Sequence, residues 1–341
     1  MGMSTLALLG GIGLAVPAQA ESEAAVSGLG VQGRTVDPRP STAKLALQLK
    51  ALEILGHGRI DVRAIGRSNE GRPVWSATVG SGPRKILYVT QQHGNEPLAT
   101  PAAVEFLRTV GLGNSRWQRV LRSQVTIEIV VRANPDGHER DWRYNYDPQA
   151  DPEYGEKGKG YDINRYHDPA VAPEDNPATE AGLIQRRFAA FGPELVVDYH
   201  MQGRYLDDEG RDITSSVFWP NHPDVAAGKV ALAKQVAVVA ARGMTLGGGN
   251  VSQYPGGEYR GIARNGYGLA GAGSVLIEYS DLGPEHEQAQ IRSAGLAMLA
   301  IARAAGSGAL DAIDPALADR IPLRGDPVPG ARTLSGASAS D

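Results

Sequence analysis

The stretch Lys85-Ile86-Leu87-Tyr88-Val89-Thr90-Gln91-Gln92-His93-Gly94-Asn95-Glu96-Pro97-Leu98 decides the fold. Its first seven residues, with the apolar β-formers Ile86–Val89 at their centre, read as a strand. Gly94, Asn95 and Pro97 then mark a tight turn, after which a helix begins near Leu98. A strand running straight through a short turn into a helix is half of a parallel crossover unit, so the neighbouring sequence should show the same alternation.

It does. Strands are expected at 60–65, 73–79, 85–91, 124–131, 194–199 and 274–279, and helices at 43–56, 98–110, 177–191, 224–242 and 285–304. Short apolar runs alternating with longer amphipathic ones predict an α/β fold: one domain with a mostly parallel or mixed twisted sheet and helices on both faces. The stretches 132–175 and 243–273 are dense in Gly, Pro, Asn, Asp and Tyr and fit neither element. Loops of that length in a folded domain usually serve function. Ligands of open α/β sheets sit beyond the carboxyl ends of the strands, which is where chemistry is to be sought.

The chain has 341 residues, 42% hydrophobic and 21% charged, with 34 Lys+Arg against 38 Asp+Glu. It is too apolar for a disordered protein and too nearly neutral to point to a nucleic-acid partner. With no cysteine there is neither a disulfide framework nor a thiol nucleophile, and any metal must be held by nitrogen and oxygen. Residues 1–20 carry no charge, run apolar from Leu6 to Val16 and end in Ala18-Gln19-Ala20, the pattern of a cleaved secretory signal, although no Lys or Arg precedes the apolar run. Export to the periplasm or medium is therefore expected, with no membrane span in the mature chain. The expected division is signal 1–20, spacer 21–40, catalytic domain 41–305, and a Gly-, Ala-, Pro- and Ser-rich tail over 306–341 that cannot order itself.

Three side chains at strand ends carry the chemistry. His93 and Glu96, three apart at the turn after the third strand, can aim an imidazole nitrogen and a carboxylate oxygen at one point, a geometry suited to zinc. Of the remaining histidines, His57, His222 and His286 fall at or near helix ends, and His138 and His167 lie in the long loop. His200 closes the apolar run Leu195–Tyr199 and emerges at the same sheet edge as His93. Glu278 interrupts the strand Ser274–Tyr279, where an unpaired carboxylate is costly unless it works on something. Glu128 and Asp198 interrupt apolar runs as well, so burial alone does not single it out.

Taken in order, Gly66-Arg67-Ser68-Asn69-Glu70-Gly71-Arg72, the HxxE of 93–96, Asn134-Pro135-Asp136-Gly137, Trp142-Arg143, Asp162-Ile163-Asn164-Arg165, His200 and Glu278 resemble the motifs of the zinc carboxypeptidases, the M14 metallopeptidases or funnelins. The resemblance spans most of the body and looks like that of bacterial members. No pro-domain like that of digestive zymogens is expected. The resemblance implies one zinc per chain, held by His93, Glu96 and His200, with Asp162 orienting His93. It further implies that Glu278 is the general base acting on water at the metal, that Arg143 stabilises the oxyanion, and that Asn164 and Arg165 grip the substrate's terminal carboxylate. A mobile capping tyrosine is matched by Tyr254, with Tyr259 as rival. The implied activity is hydrolysis of the C-terminal peptide bond of a peptide with a free carboxylate.

Two departures matter. Digestive members carry an Arg between the ligand His and Glu, where this chain has Gly94-Asn95, and the HGNE wording also resembles deacylases of N-acyl amino acids. A cell-wall peptide amidase and a silent module binding peptide termini are further alternatives, though the presence of every ligand and of Glu278 favours an enzyme. Glu258, just past Gly256-Gly257, is expected to floor the side-chain pocket and favour a cationic or diamino terminal residue.

Overall fold

The computed structural model describes residues 35–330. In chain order the strands are β1 (Ile60–Arg67), β2 (Pro73–Gly80), β3 (Arg84–Thr90), β4 (Val125–Val131), β5 (Gly155–Glu156), β6 (Gly160–Tyr161), β7 (Leu195–Gln202), β8 (Ser215–Phe218), β9 (Val251–Gln253) and β10 (Gly273–Ser280). The helices are α1 (Thr42–Gly56), α2 (Ala99–Leu107), α3 (Arg116–Gln124), α4 (Pro135–Arg140), α5 (Thr179–Phe191), α6 (Ala227–Leu246), α7 (Ala263–Leu269) and α8 (Glu287–Ser307). Eight strands form one sheet in the order β1-β2-β4-β3-β7-β10-β8-β9, while β5 and β6 make a separate small hairpin. The central four, β4-β3-β7-β10, are parallel, and antiparallel pairing enters at β2 and β8. The mixed, mostly parallel α/β sheet expected from the sequence is the one found.

The central strands read as unbroken apolar runs because both of their faces are covered. Every residue of β7 is buried. On one face Ile86, Tyr88, Val197 and Ile277 pack with residues of α1, α2, α6 and α8, among them Leu49, Phe106, Val236 and Met298. On the other, Leu87, Val89 and Val196 pack with Ala181 and Ile184 of α5 and Tyr267 of α7. Burying a side chain of this size is worth about 1.5–3 kcal/mol, so the two cores hold the sheet rigidly. Its carboxyl edge is fixed in consequence.

The expected elements recur within a few residues, and the differences have reasons. Strands β8 and β9 have four and three residues, too few to show a period. Helix α3 is mostly polar, and only Gln118 and Leu121 are buried. Its signal is the capping box in which Ser115 and Gln118 bond reciprocally. Residues 1–34 and 331–341, and with them the signal segment and most of the spacer, lie outside the described residues. The end of the spacer is docked: Gln288 bonds both backbone groups of Val36, and buried Arg132 donates to the Pro40 carbonyl at 2.6 Å.

The tail expected from residue 306 is corrected up to residue 330. Short 3₁₀ turns at Ala309–Ala312 and Pro315–Arg320 insert Leu310 and Ala318, both fully buried. Beyond them the backbone bonds to β9: the Gln253 amide donates to Pro322 at 2.7 Å and the Arg324 amide to Gln253 at 2.8 Å. Composition averages over isolated anchors, and backbone pairing leaves no trace in it. No helix among the described residues is long and apolar enough to cross a membrane.

Glu180, in the first turn of α5, is fully buried. Its Oε2 accepts from Asn145 at 2.7 Å, its Oε1 has no partner, and burial pushes the carboxyl up to about 7. A folded value above the unfolded 4.5 means that the stability is complete below about pH 4.5 and is lost as pH rises from there through about 7. Glu180→Gln should therefore raise the melting temperature at pH 8 by several degrees, on the order of 2–3 kcal/mol, and much less at pH 5. Equal shifts by calorimetry at the two pH values would contradict this.

Candidate metal centre

Strand β3 ends on Thr90, and Gln91 turns the chain with a left-handed φ of 57°. The turn must then pass Gly94 against the backbone of α4. A Cβ at Gly94 would lie 2.0 Å from the Gly137 carbonyl carbon, so glycine is required there. This close passage sets His93 and Glu96 at the carboxyl edge of the sheet. In the parallel pairing of β7 with β10, His200 stands opposite Glu278.

The buried side chains of His93, Glu96 and His200 offer ligand atoms that all lie within 4.8 Å of one another. His93 Nδ1 is 2.8 Å from Glu96 Oε1 and 3.0 Å from His200 Nδ1, which is 3.0 Å from Glu96 Oε2. The outward nitrogens are taken: His93 Nε2 meets Asp162 Oδ1 at 2.9 Å and His200 Nε2 meets Asp198 Oδ2 at 2.7 Å. A carboxylate on each Nε2 holds the proton there and turns the Nδ1 lone pair inward. Two imidazole nitrogens and a carboxylate oxygen converging with outward partners in place are a fitting donor set for zinc. Burial raises the cost of charge at Glu96, but His93 and His200 outweigh it and hold the carboxyl well below its usual range.

Arg143 comes in from the loop after α4. Its Nε and Nη2 meet Asp162 Oδ2 at 2.9 Å, and its Nη1 lies 3.2 Å from His93 Nδ1. Asp162 thus bridges a metal-ligand candidate and the guanidinium; despite burial, Arg143 and His93 hold its carboxyl well below the normal value. Asn164 and Arg165 follow on one 3₁₀ turn, both buried, with Asn164 Oδ1 accepting from the Ala263 amide at 2.9 Å. Glu278 keeps one carboxylate oxygen, Oε2, buried without a hydrogen-bond partner, and burial together with Glu96 pushes its carboxyl up to about 7.

The remaining candidates divide. Tyr254, just past β9, packs on Phe218 at 5.8 Å between ring centroids. Tyr259 instead packs on Tyr154, with ring centroids 4.5 Å apart and the rings tilted by 39°. Glu258 is exposed on the loop between them, which gives the acidic pocket floor no support. Sequence reasoning gave no role to the layer behind His200. Asp198 Oδ2 accepts from Gln92 Nε2 at 2.6 Å, Gln92 Oε1 meets His167 Nε2 at 2.7 Å, and His167 Nδ1 meets the Tyr267 hydroxyl at 2.9 Å. Burial pushes His167 down to about 4, so it is neutral. The available signal was spacing: Asp198 and His200, two apart on a strand, share a face.

Residues 48–182 match the model of peptidase family M14, zinc carboxypeptidase. The match takes in His93, Glu96, Arg143 and Asp162–Arg165 and stops before His200. Among curated proteins no sequence matches. Among solved structures, the chain is similar to a metallo-carboxypeptidase from Burkholderia cenocepacia (20% identity over 78% of this chain and 69% of that one, TM-score 0.59). It is also similar to carboxypeptidase A from Helicoverpa armigera (18%, covering 85% and 81%, TM-score 0.61). A third is the Pseudomonas aeruginosa metallo-carboxypeptidase in complex with (2-guanidinoethylmercapto)succinic acid (18%, covering 77% and 68%, TM-score 0.56). At such identities these likenesses speak for the fold, and they agree with the sequence match. Residues 48–182 are thus similar in sequence to the zinc carboxypeptidases, and the chain as a whole shares their fold.

Proposed function

We propose that the protein hydrolyses the C-terminal peptide bond of peptides that end in a free carboxylate. The observation that carries this reading is the pairing of His200 with Glu278 across β7 and β10, which sets a carboxylate with an unpartnered oxygen beside the His93–Glu96–His200 cluster. Zinc held by those three side chains would supply Lewis-acid polarisation of the scissile carbonyl and of an attacking water. Glu278 takes the proton from that water and returns it to the leaving amine. A carboxyl pushed up by burial is suited to both halves of that transfer. Arg143, fixed by Asp162 next to His93, faces the developing oxyanion with a charge already in place. Arg165 offers a planar fork to the terminal carboxylate and Asn164 an amide. We also take the protein to be exported, on the apolar run Leu6–Val16 and the Ala18-Gln19-Ala20 after it.

Glu278→Gln should keep about one zinc per chain by elemental analysis and lose about 10²–10⁴-fold in kcat, whereas His200→Ala should lose metal and activity together. Turnover near the wild-type rate in the Glu278→Gln variant would end the assignment of the base.

Arg143→Gln should lower kcat by about 10²–10³-fold with little change in KM, as expected for a group that meets charge only in the transition state. The wild-type protein should cleave free-carboxylate peptides and leave their C-terminal amides intact. Equal cleavage of both, or preference for N-acyl amino acids, would remove the carboxypeptidase reading.

A further inference from the structure

Two arginines at this edge of the sheet make no ion pair among the described residues, although Glu278 lies within the electrostatic reach of both. Arg264, second residue of α7, is 3% exposed. It donates only to neutral acceptors: Trp219 O at 3.2 Å, Asn221 Oδ1 at 3.2 Å, Pro255 O at 3.0 Å and Gly257 O at 2.7 Å. Arg324 arrives on the C-terminal segment that pairs with β9. Its guanidinium lies between the rings of Tyr205 and Tyr254, 3.9 and 4.1 Å from their centroids, and donates to Gln202 Oε1 at 3.0 Å. Gln202 lies two residues past His200 and bonds Ser280, two past Glu278, at 3.0 Å. Arg143, by contrast, is matched by Asp162.

One aromatic ring links the two cations: Phe218, against which Tyr254 packs, has its centroid 5.8 Å from the Arg264 guanidinium and 6.0 Å from that of Arg324. Burial pushes Arg264 down to about 10, with Arg165 adding to the effect and Glu278 opposing it, so Arg264 shares the field of the residues assigned to substrate. A guanidinium buried among neutral acceptors has hydrogen bonds but no ion-paired counter-charge, a demand that an anion would meet. Loop residue Glu258, which stands exposed, leaves that demand unanswered.

We propose, resting on the carboxypeptidase reading above, that Arg264 and Arg324 are specificity-determining residues that select a terminal residue with an acidic side chain, so that the substrates are peptides ending in glutamate or aspartate. The bond broken and the proton path are unchanged. The second carboxylate of the substrate meets the arginines through charge-assisted hydrogen bonds. The charge preference is the reverse of the one Glu258 suggested.

The test compares kcat/KM of the full-length, zinc-loaded protein on N-acyl dipeptides ending in Glu, Gln, Leu and Lys. Glu should exceed its isostere Gln by about tenfold or more, with Lys slowest. Arg324→Gln and Arg264→Lys should each reduce the Glu-to-Gln ratio by at least about threefold, and the melting temperature of each variant establishes that it is folded. Turnover of Leu or Lys peptides with Glu no better than Gln overturns the inference and leaves the carboxypeptidase reading standing. So does a ratio that survives in both folded variants. No hydrolysis of any of the four peptides by protein with zinc bound overturns the parent reading, and this one with it.

Discussion

The register of β7 on β10 is the constraint from which the site follows. Eight consecutive residues pair in parallel from Gly273 with Leu195 to Ser280 with Gln202, and a slip of one residue would turn every side chain to the other face. Held as it is by cores on both faces, the pairing sets His200 against Glu278. The β3–β7 pairing, from Ile86 with Leu195 to Thr90 with Tyr199, brings the turn after Thr90 to the same edge. Segments far apart in sequence therefore meet without any loop having to find its own way there.

Strand β7 and the turn after β3 place the candidate ligands, and a polar layer orients them. Asp162 and Asp198 each bond the outward nitrogen of one histidine, and Gln92, His167 and Tyr267 carry the second of these links into the core. The loop bearing Arg143 is tied down in the same manner. Asn134 donates to the carbonyls of Gln92, Arg143 and Tyr144, and Asp136 accepts from Ser68, from the Glu70 amide and from Arg72. The Gly66–Arg72 opening therefore acts as a clamp on that loop. Gln91 and Arg132, at the ends of β3 and β4, both adopt left-handed φ, at about 1–2 kcal/mol each. Each lies in bonds to the other's segment: Arg132 Nε to Gln91 Oε1 at 3.0 Å, and the Asn134 amide to the Gln91 carbonyl at 3.0 Å. Backbone strain at this edge is held by the network that also positions the candidate ligands.

Much of this was legible in the sequence because buried parallel strands have no alternation to obscure them. The run 85–91 declared itself by composition, and the turn residues after it told where its chemistry would lie. His200 was legible as the end of an apolar run, and Arg143 and Asn164 only through family resemblance, since a loop cation has no local signal. Asp198 was visible but uninterpreted: its meaning depends on the side of the strand it shares with His200 and on Gln92, far back in the chain. Arg324 was beyond reach because its partners, Gln202 and Tyr254, are distant in sequence and its own surroundings read as low complexity. Glu258 draws on the converse kind of signal. Its neighbours suggest a pocket floor, whereas its exposure is a property of the folded loop that the sequence does not carry.

The pairing of residues 322–324 with β9 has a bearing on solubility. β9 is the last strand of the sheet, and without that pairing the backbone groups Gln253 now engages would lie along an open border. Such borders recruit strands from other molecules and seed aggregates. Proteolysis near Arg320 would thus convert a self-contained sheet into a template for intermolecular β-pairing.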